Sequence, residues 1–154
     1  MFPATEDRRE KKMRLIAVFF GLCFVSPPAA AQDAAPSAIL SIEPGETVTA
    51  RVTPDGHFVE LSRARGEGQG ERAADTVRFT FSNMAGQKML SVENGYDRAF
   101  VYRARIFVRG RSANTSICPV MPRITGMEIW GDPIDRLELR EPRLFEAGPS
   151  MTCE

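Results

Sequence analysis

Apolar residues along the chain recur mostly two apart, between clusters of Gly, Pro, Asn and Asp, and this period predicts strands rather than helices. Val77, Phe79 and Phe81 alternate with Arg78, Thr80 and Ser82, the pattern of a half-buried strand. Phe100, Tyr102, Ala104, Ile106 and Val108 make the longest apolar face, opposite Val101, Arg103, Arg105, Phe107 and Arg109. Val48, Ala50 and Val52 share one face of a strand over 47–53, and Pro54-Asp55-Gly56 turns it into a second strand over 57–64. Shorter strands are expected over 38–42, 87–93, 115–118, 124–130 and 135–140, the last with Leu137 and Leu139 opposite Arg136, Glu138 and Arg140. The stretch 65–75, RGEGQGERAAD, has nothing to bury and reads as a mobile loop. There is no long helical periodicity and no internal repeat.

About eight or nine short antiparallel strands predict an all-β domain, a single β-sandwich that is immunoglobulin-like in the broad sense, with a small β-barrel as the alternative. Trp130 lies between Cys118 and Cys153, but Cys153 is in the tail, so the antibody-type cysteine arrangement is not met.

The stretch SVENGYDRAFVYRARI, residues 91–106, pairs a hairpin signal with this long strand. A two-residue Asn94-Gly95 loop would set Leu90 opposite Ala99 and divide the apolar residues between two faces, because side chains alternate. Two arrangements repair the parity. A five-residue loop, 94–98, sets Val92 opposite Phe100 and Leu90 opposite Tyr102; a crossing between two sheets removes the shared register altogether. Either makes Gly95, Tyr96, Asp97 and Arg98 an exposed bend.

The N-terminus changes the domain count. Arg8, Arg9, Lys11, Lys12 and Arg14 precede an apolar run from Leu15 to Val25, then Pro27-Pro28 and Ala29-Ala30-Ala31, the layout of a signal peptide over 1–31 cut after Ala31. As a helix the run spans roughly 16 Å, short of the ~30 Å hydrocarbon core, so no transmembrane span is expected after cleavage. Met13 is an alternative start. A flexible leader, 32–37, then precedes one domain over 38–154. The segment removed holds five basic and three acidic residues, leaving 15 basic and 17 acidic, a net charge of −2 that argues against a nucleic-acid partner.

Cys118 and Cys153 are the two cysteines of the mature chain, and an even pair in an oxidising compartment reads as one disulfide. Closing a loop of about 36 residues corresponds to about 3.8 kcal/mol in the chain-entropy account. A metal or redox pair is the alternative, but there is no CxxC and His57 is the sole histidine. No metal or other cofactor is expected. A hydrolytic set would need Ser91 or Ser116 beside His57 and an aspartate, and no GxSxG is present. Asp132 and Asp135 read as turn residues rather than a carboxylate pair.

Arg103 and Arg105, followed by Arg109 and Arg111, suggest a basic strand face. It either meets an anionic partner or is neutralised by Glu60, Glu93, Glu128 or Glu138 on neighbouring strands. Tyr96, Asp97, Arg98, Arg103, Arg105 and Trp130 are thus the candidate contact surface, with Trp130 also readable as a plug of the core rim. The order VENGYDRAFVYRARI, TSICPVMP, MEIWGDPIDRLEL resembles small exported, periplasmic proteins of Gram-negative bacteria that have no assigned activity. The resemblance implies secretion and no catalytic residue. The sequence therefore predicts an exported, non-enzymatic binding or accessory module of the cell envelope, its partner another envelope protein or an anionic glycan or lipid. A small periplasmic hydrolase and a structural envelope protein are the alternatives.

Overall fold

The computed structural model describes residues 34–66, 72–131, 133–148 and 152–153. The expected signal peptide, Gln32 and Asp33 of the leader, residues 67–71 of the glycine-rich loop and Asp132 lie outside them.

Nine strands form among the described residues: β1 (Ile39–Ile42), β2 (Glu46–Val52), β3 (Phe58–Arg65), β4 (Val77–Met84), β5 (Gln87–Asn94), β6 (Ala99–Val108), β7 (Arg111–Thr115), β8 (Thr125–Trp130) and β9 (Arg136–Phe145). They make two antiparallel sheets, ordered β1-β9-β6-β7 and β3-β2-β4-β5-β8, packed face to face as a β-sandwich and not closed into a barrel. The period-two faces meet between them. Val48, Ala50, Phe79, Phe81, Leu90 and Val92 from one sheet face Ile42, Phe100, Tyr102, Leu137 and Leu139 from the other, all buried. Phe79 sits at the centre, edge-on to Phe58, Phe100 and Tyr102 at 5.9, 5.9 and 6.0 Å between ring centroids. Such edge-to-face contacts suit the aromatic quadrupole.

β5 belongs to one sheet and β6 to the other, so the stretch 91–106 is a sheet crossing with no shared register, the second of the two arrangements that parity left open. Its exposure differs from expectation. Gly95 and Tyr96 are buried, and only Asp97 and Arg98 of the bend are exposed. The reason is Asn94, whose side chain ties three segments together from a fully buried position. Its Nδ2 donates to the carbonyls of Arg98, Val120 and Met121 at 2.8, 3.0 and 3.1 Å, and its Oδ1 accepts from Tyr96 N at 3.0 Å. Gly95 is there for close approach: a Cβ would overlap the carbonyl oxygen of Ala73 and stand 2.8 Å from that of Thr76. The Tyr96 hydroxyl accepts from Val52 N at 2.9 Å, which pins the crossing to β2.

Three further expectations are corrected. Of the strand expected over 115–118 only Thr115 is in one, as the last residue of β7; the chain then runs irregularly along β6, bridging Val120 to Phe100, and crosses to β8. The basic strand face ends at Arg105 on β6, because Arg109 takes a left-handed conformation (φ 49°) in the β6–β7 turn and its N–H donates to Asp135 at 2.6 Å. The end of the leader is fastened, Ser37 exchanging two backbone hydrogen bonds of 2.8 Å with Phe58.

β9 runs past Arg140 because it carries a bulge. Arg103 pairs with Arg140 and Val101 with Arg143, so β9 holds one residue more than β6 between these pairs. Glu141 there has φ 50°, and Pro142 follows. An extra residue reverses the parity of everything beyond it. Leu137 and Leu139 point inward before the bulge and Pro142 and Leu144 after it. Arg140, Glu141, Arg143 and Phe145 consequently all face outward.

Candidate binding groove

The outer face of the four-stranded sheet carries the arginines. Arg103 and Arg105 project from β6, Arg136 and Arg140 from β9 before the bulge, and Arg143 from β9 after it. Glu138 and Glu141 each stand between two of them. Glu138 lies 3.4 Å from Arg136 and 3.6 Å from Arg140; Glu141 lies 3.4 Å from Arg103 and 4.0 Å from Arg143. Among the described residues, Arg105 meets the amide oxygen of Asn114, at 3.5 Å. Arg136 also stacks over Phe107, 4.1 Å from the ring centroid.

The contrast with Arg63 on β3 shows what full neutralisation looks like. There one guanidinium lies between two carboxylates, 2.7 Å from Glu46 and 2.8 Å from Glu60, and also donates to the carbonyl of Ser41 at 3.0 Å. Hydrogen bonding to Glu60 raises its already high pKa further. Of the acids expected to neutralise the basic face, Glu60 is thus held by Arg63, Glu93 lies 3.4 Å from Arg78, and Glu128 accepts from Cys118 N at 3.0 Å. Of the four, Glu138 stands among the arginines of this face, where, among the described residues, Arg103, Arg105, Arg136, Arg140 and Arg143 outnumber Glu138, Glu141 and Glu146.

A groove of about 860 Å³ lies over this face. Arg103, Arg105, Arg140 and Arg143 line it with Glu141 and Glu146; Val101, Ile117, Pro119 and Phe145 add apolar surface, and Asn114, Thr115 and Ser116 add polar groups. One wall is the C-terminal tail at Gly148 and Thr152, held by the Cys118–Cys153 disulfide, whose Cα atoms are 4.1 Å apart. The predicted disulfide is therefore present, and it is compatible with a compartment outside the cytoplasm.

The structure brings together two of the six candidate contact residues in this groove, Arg103 and Arg105. Arg98 lies on a second depression of about 520 Å³ with Arg51, Asp55 and Asp75. Asp97 is exposed beside it in sequence. Tyr96 lines that depression but is only 5% exposed and anchored to Val52, so its part is structural. Trp130 is half-buried against the core, edge-on to Phe81 at 6.5 Å, with Nε1 donating to the Thr115 hydroxyl at 3.1 Å. It plugs the sandwich rim and does not line the groove. Arg140 and Arg143 were not singled out by sequence; the shift of leucines from odd to even positions around Glu141-Pro142 is the signal that would have found the bulge.

The candidates for hydrolysis are not assembled. His57 Nδ1 lies 3.0 Å from Asp55 in the β2–β3 turn, and hydrogen bonding from Thr53 keeps the Asp55 carboxyl below its ordinary pKa. Ser91 is on β5, three inter-strand spacings from β3, or about 14 Å. His57 lines neither depression, whereas Ser116 lines the larger. Among the described residues, no three His, Cys, Asp or Glu side chains gather as a metal site needs, and no helix is long and apolar enough to cross a membrane. Comparison of the chain with protein-family models, curated proteins and solved structures finds no match.

Proposed function

We propose that the protein is an exported, non-enzymatic binding or accessory module of the cell envelope that holds an anionic partner on the outer face of its four-stranded sheet. The observation that carries this reading is the sharing of Glu138 and Glu141, each between two arginines, beneath a groove of about 860 Å³. Guanidinium groups present planar donor forks to carboxylate, sulfate or phosphate oxygens, and a surplus of them on one face attracts such groups selectively. Export is supported by the basic, apolar and small-residue order of the first 31 residues and by the disulfide.

The test uses the full chain expressed in a Gram-negative host and recovered from its periplasm. Intact mass should show cleavage after Ala31 and a loss of about 2 Da on disulfide formation. Retention on polygalacturonate beads, against neutral dextran beads, reads the binding. Replacing both Arg103 and Arg105 with Glu should weaken retention about tenfold or more while circular dichroism stays that of the parent. Equal retention of parent and variant would contradict the proposal.

A further inference from the structure

The two depressions are neighbours. Arg143 and Phe145 line both, the first holding Arg103, Arg105 and Arg140 and the second Arg51 and Arg98. The bulge in β9 creates this shared wall, since it alone turns Arg143 and Phe145 outward. Among the described residues the depressions together are lined by six arginines and four carboxylates, Asp55, Asp75, Glu141 and Glu146. Along β6 the distance from Arg105 back to Ala99, which pairs with Phe145, is six residues, or about 20 Å.

From this we infer that the site takes an extended acidic polysaccharide, one carrying carboxylates at intervals along a stiff chain, which runs from Arg105 over the Arg143–Phe145 wall to Arg98. The inference rests on the reading of the arginine face and names its ligand. Three features favour this class. Positive groups are spread in a line over two depressions rather than gathered at one point, which matches repeated single charges. Phe145, 44% exposed between the two arginine sets, offers a flat apolar surface to the C–H face of a sugar ring. The interspersed carboxylates penalise a densely charged polymer and tolerate a sparse one.

An acidic peptide fits less well. Extended peptides gain affinity by adding to a sheet edge, and this groove is lined by side chains from both strands of the β6–β9 ladder, across the sheet's face. An anionic bilayer would touch the exposed arginines and gain nothing from a second depression.

Calorimetric titration of the mature, disulfide-bonded protein with oligogalacturonides, from dimer to octamer, tests the inference. The octamer should bind at least about tenfold tighter than the dimer, because the second subsite is filled intramolecularly. Arg98→Glu should remove that gain, bringing the octamer's affinity down to the dimer's, and should keep the parent's fold, because the Arg98 side chain is exposed and it is its carbonyl that accepts from Asn94. Arg103→Glu with Arg105→Glu should weaken every length. Affinity independent of length, or an octamer indifferent to Arg98→Glu, overturns the extended site while leaving the arginine face standing. No effect of the Arg103 and Arg105 replacements overturns the underlying reading as well. Tighter binding to phosphatidylglycerol vesicles or to a poly-glutamate peptide than to the octamer overturns the polysaccharide assignment.

Discussion

Tyr96 and Tyr102 are both buried phenols, yet their hydroxyls sit in opposite circumstances. The Tyr96 hydroxyl accepts from Val52 N at 2.9 Å, whereas the Tyr102 hydroxyl has no hydrogen-bond partner among the described residues. Losing a buried acceptor strands its donor, which costs about 1–3 kcal/mol, while removing an unpaired hydroxyl costs nothing comparable. Tyr96→Phe should therefore lower the unfolding free energy by about that amount, and Tyr102→Phe should leave it equal or higher, as read by urea denaturation. Burial raises both phenol pKa values above the ordinary 10.0, with the charge of Glu128 adding to the effect at Tyr102. The stability tied to the neutral phenols is thus complete below about pH 10 and is lost as pH climbs through the folded-state values, so the urea midpoint should fall between about pH 9 and about pH 11. Replacing Tyr102 should flatten that fall.

At the scale of elements, alternation made much of the sandwich legible before any contact was known. The β2–β3 hairpin, β4, β6 and the start of β9 each keep one apolar face, and that face is what the core buries. β7 was illegible because Arg-Ser-Ala-Asn-Thr has no large apolar residue; pairing with β6 alone makes it a strand. The end of β9 was hidden because Pro142 reads as a stop, and only the bulge lets the strand pass through it. Half of the groove's arginines depend on that bulge or on β9 lying beside β6, a long-range pairing that local pattern does not encode. β8 presents a different consequence. It is an edge strand whose outward residues, Met127 and Ile129, are 65% and 50% exposed, with no charge on that face of the strand. Uncharged apolar edges recruit other strands, so Met127→Lys should reduce the light scattering of concentrated solutions without lowering the melting temperature.

For the molecule as a whole, the disulfide and the charge distribution serve the same face. Cys118–Cys153 holds the tail that walls the groove, and in the chain-entropy account it contributes about 3.8 kcal/mol of stability. Replacing both cysteines with Ser should lower the melting temperature by roughly 10 °C or more, measured calorimetrically. A net charge of −2 over residues 32–154 coexists with an arginine-lined groove because several acids pair elsewhere: Glu46 and Glu60 with Arg63, Glu93 with Arg78. In the proposed function, Arg103, Arg105, Arg140 and Arg143 engage an anionic ligand together. Arginine Nε–H resonances of the 15N-labelled protein, followed through a titration with oligogalacturonate, test this most directly. The signals of those four arginines should shift together and saturably while that of Arg63 stays in place. Shifts of equal size at Arg63, or none at the four, would contradict it.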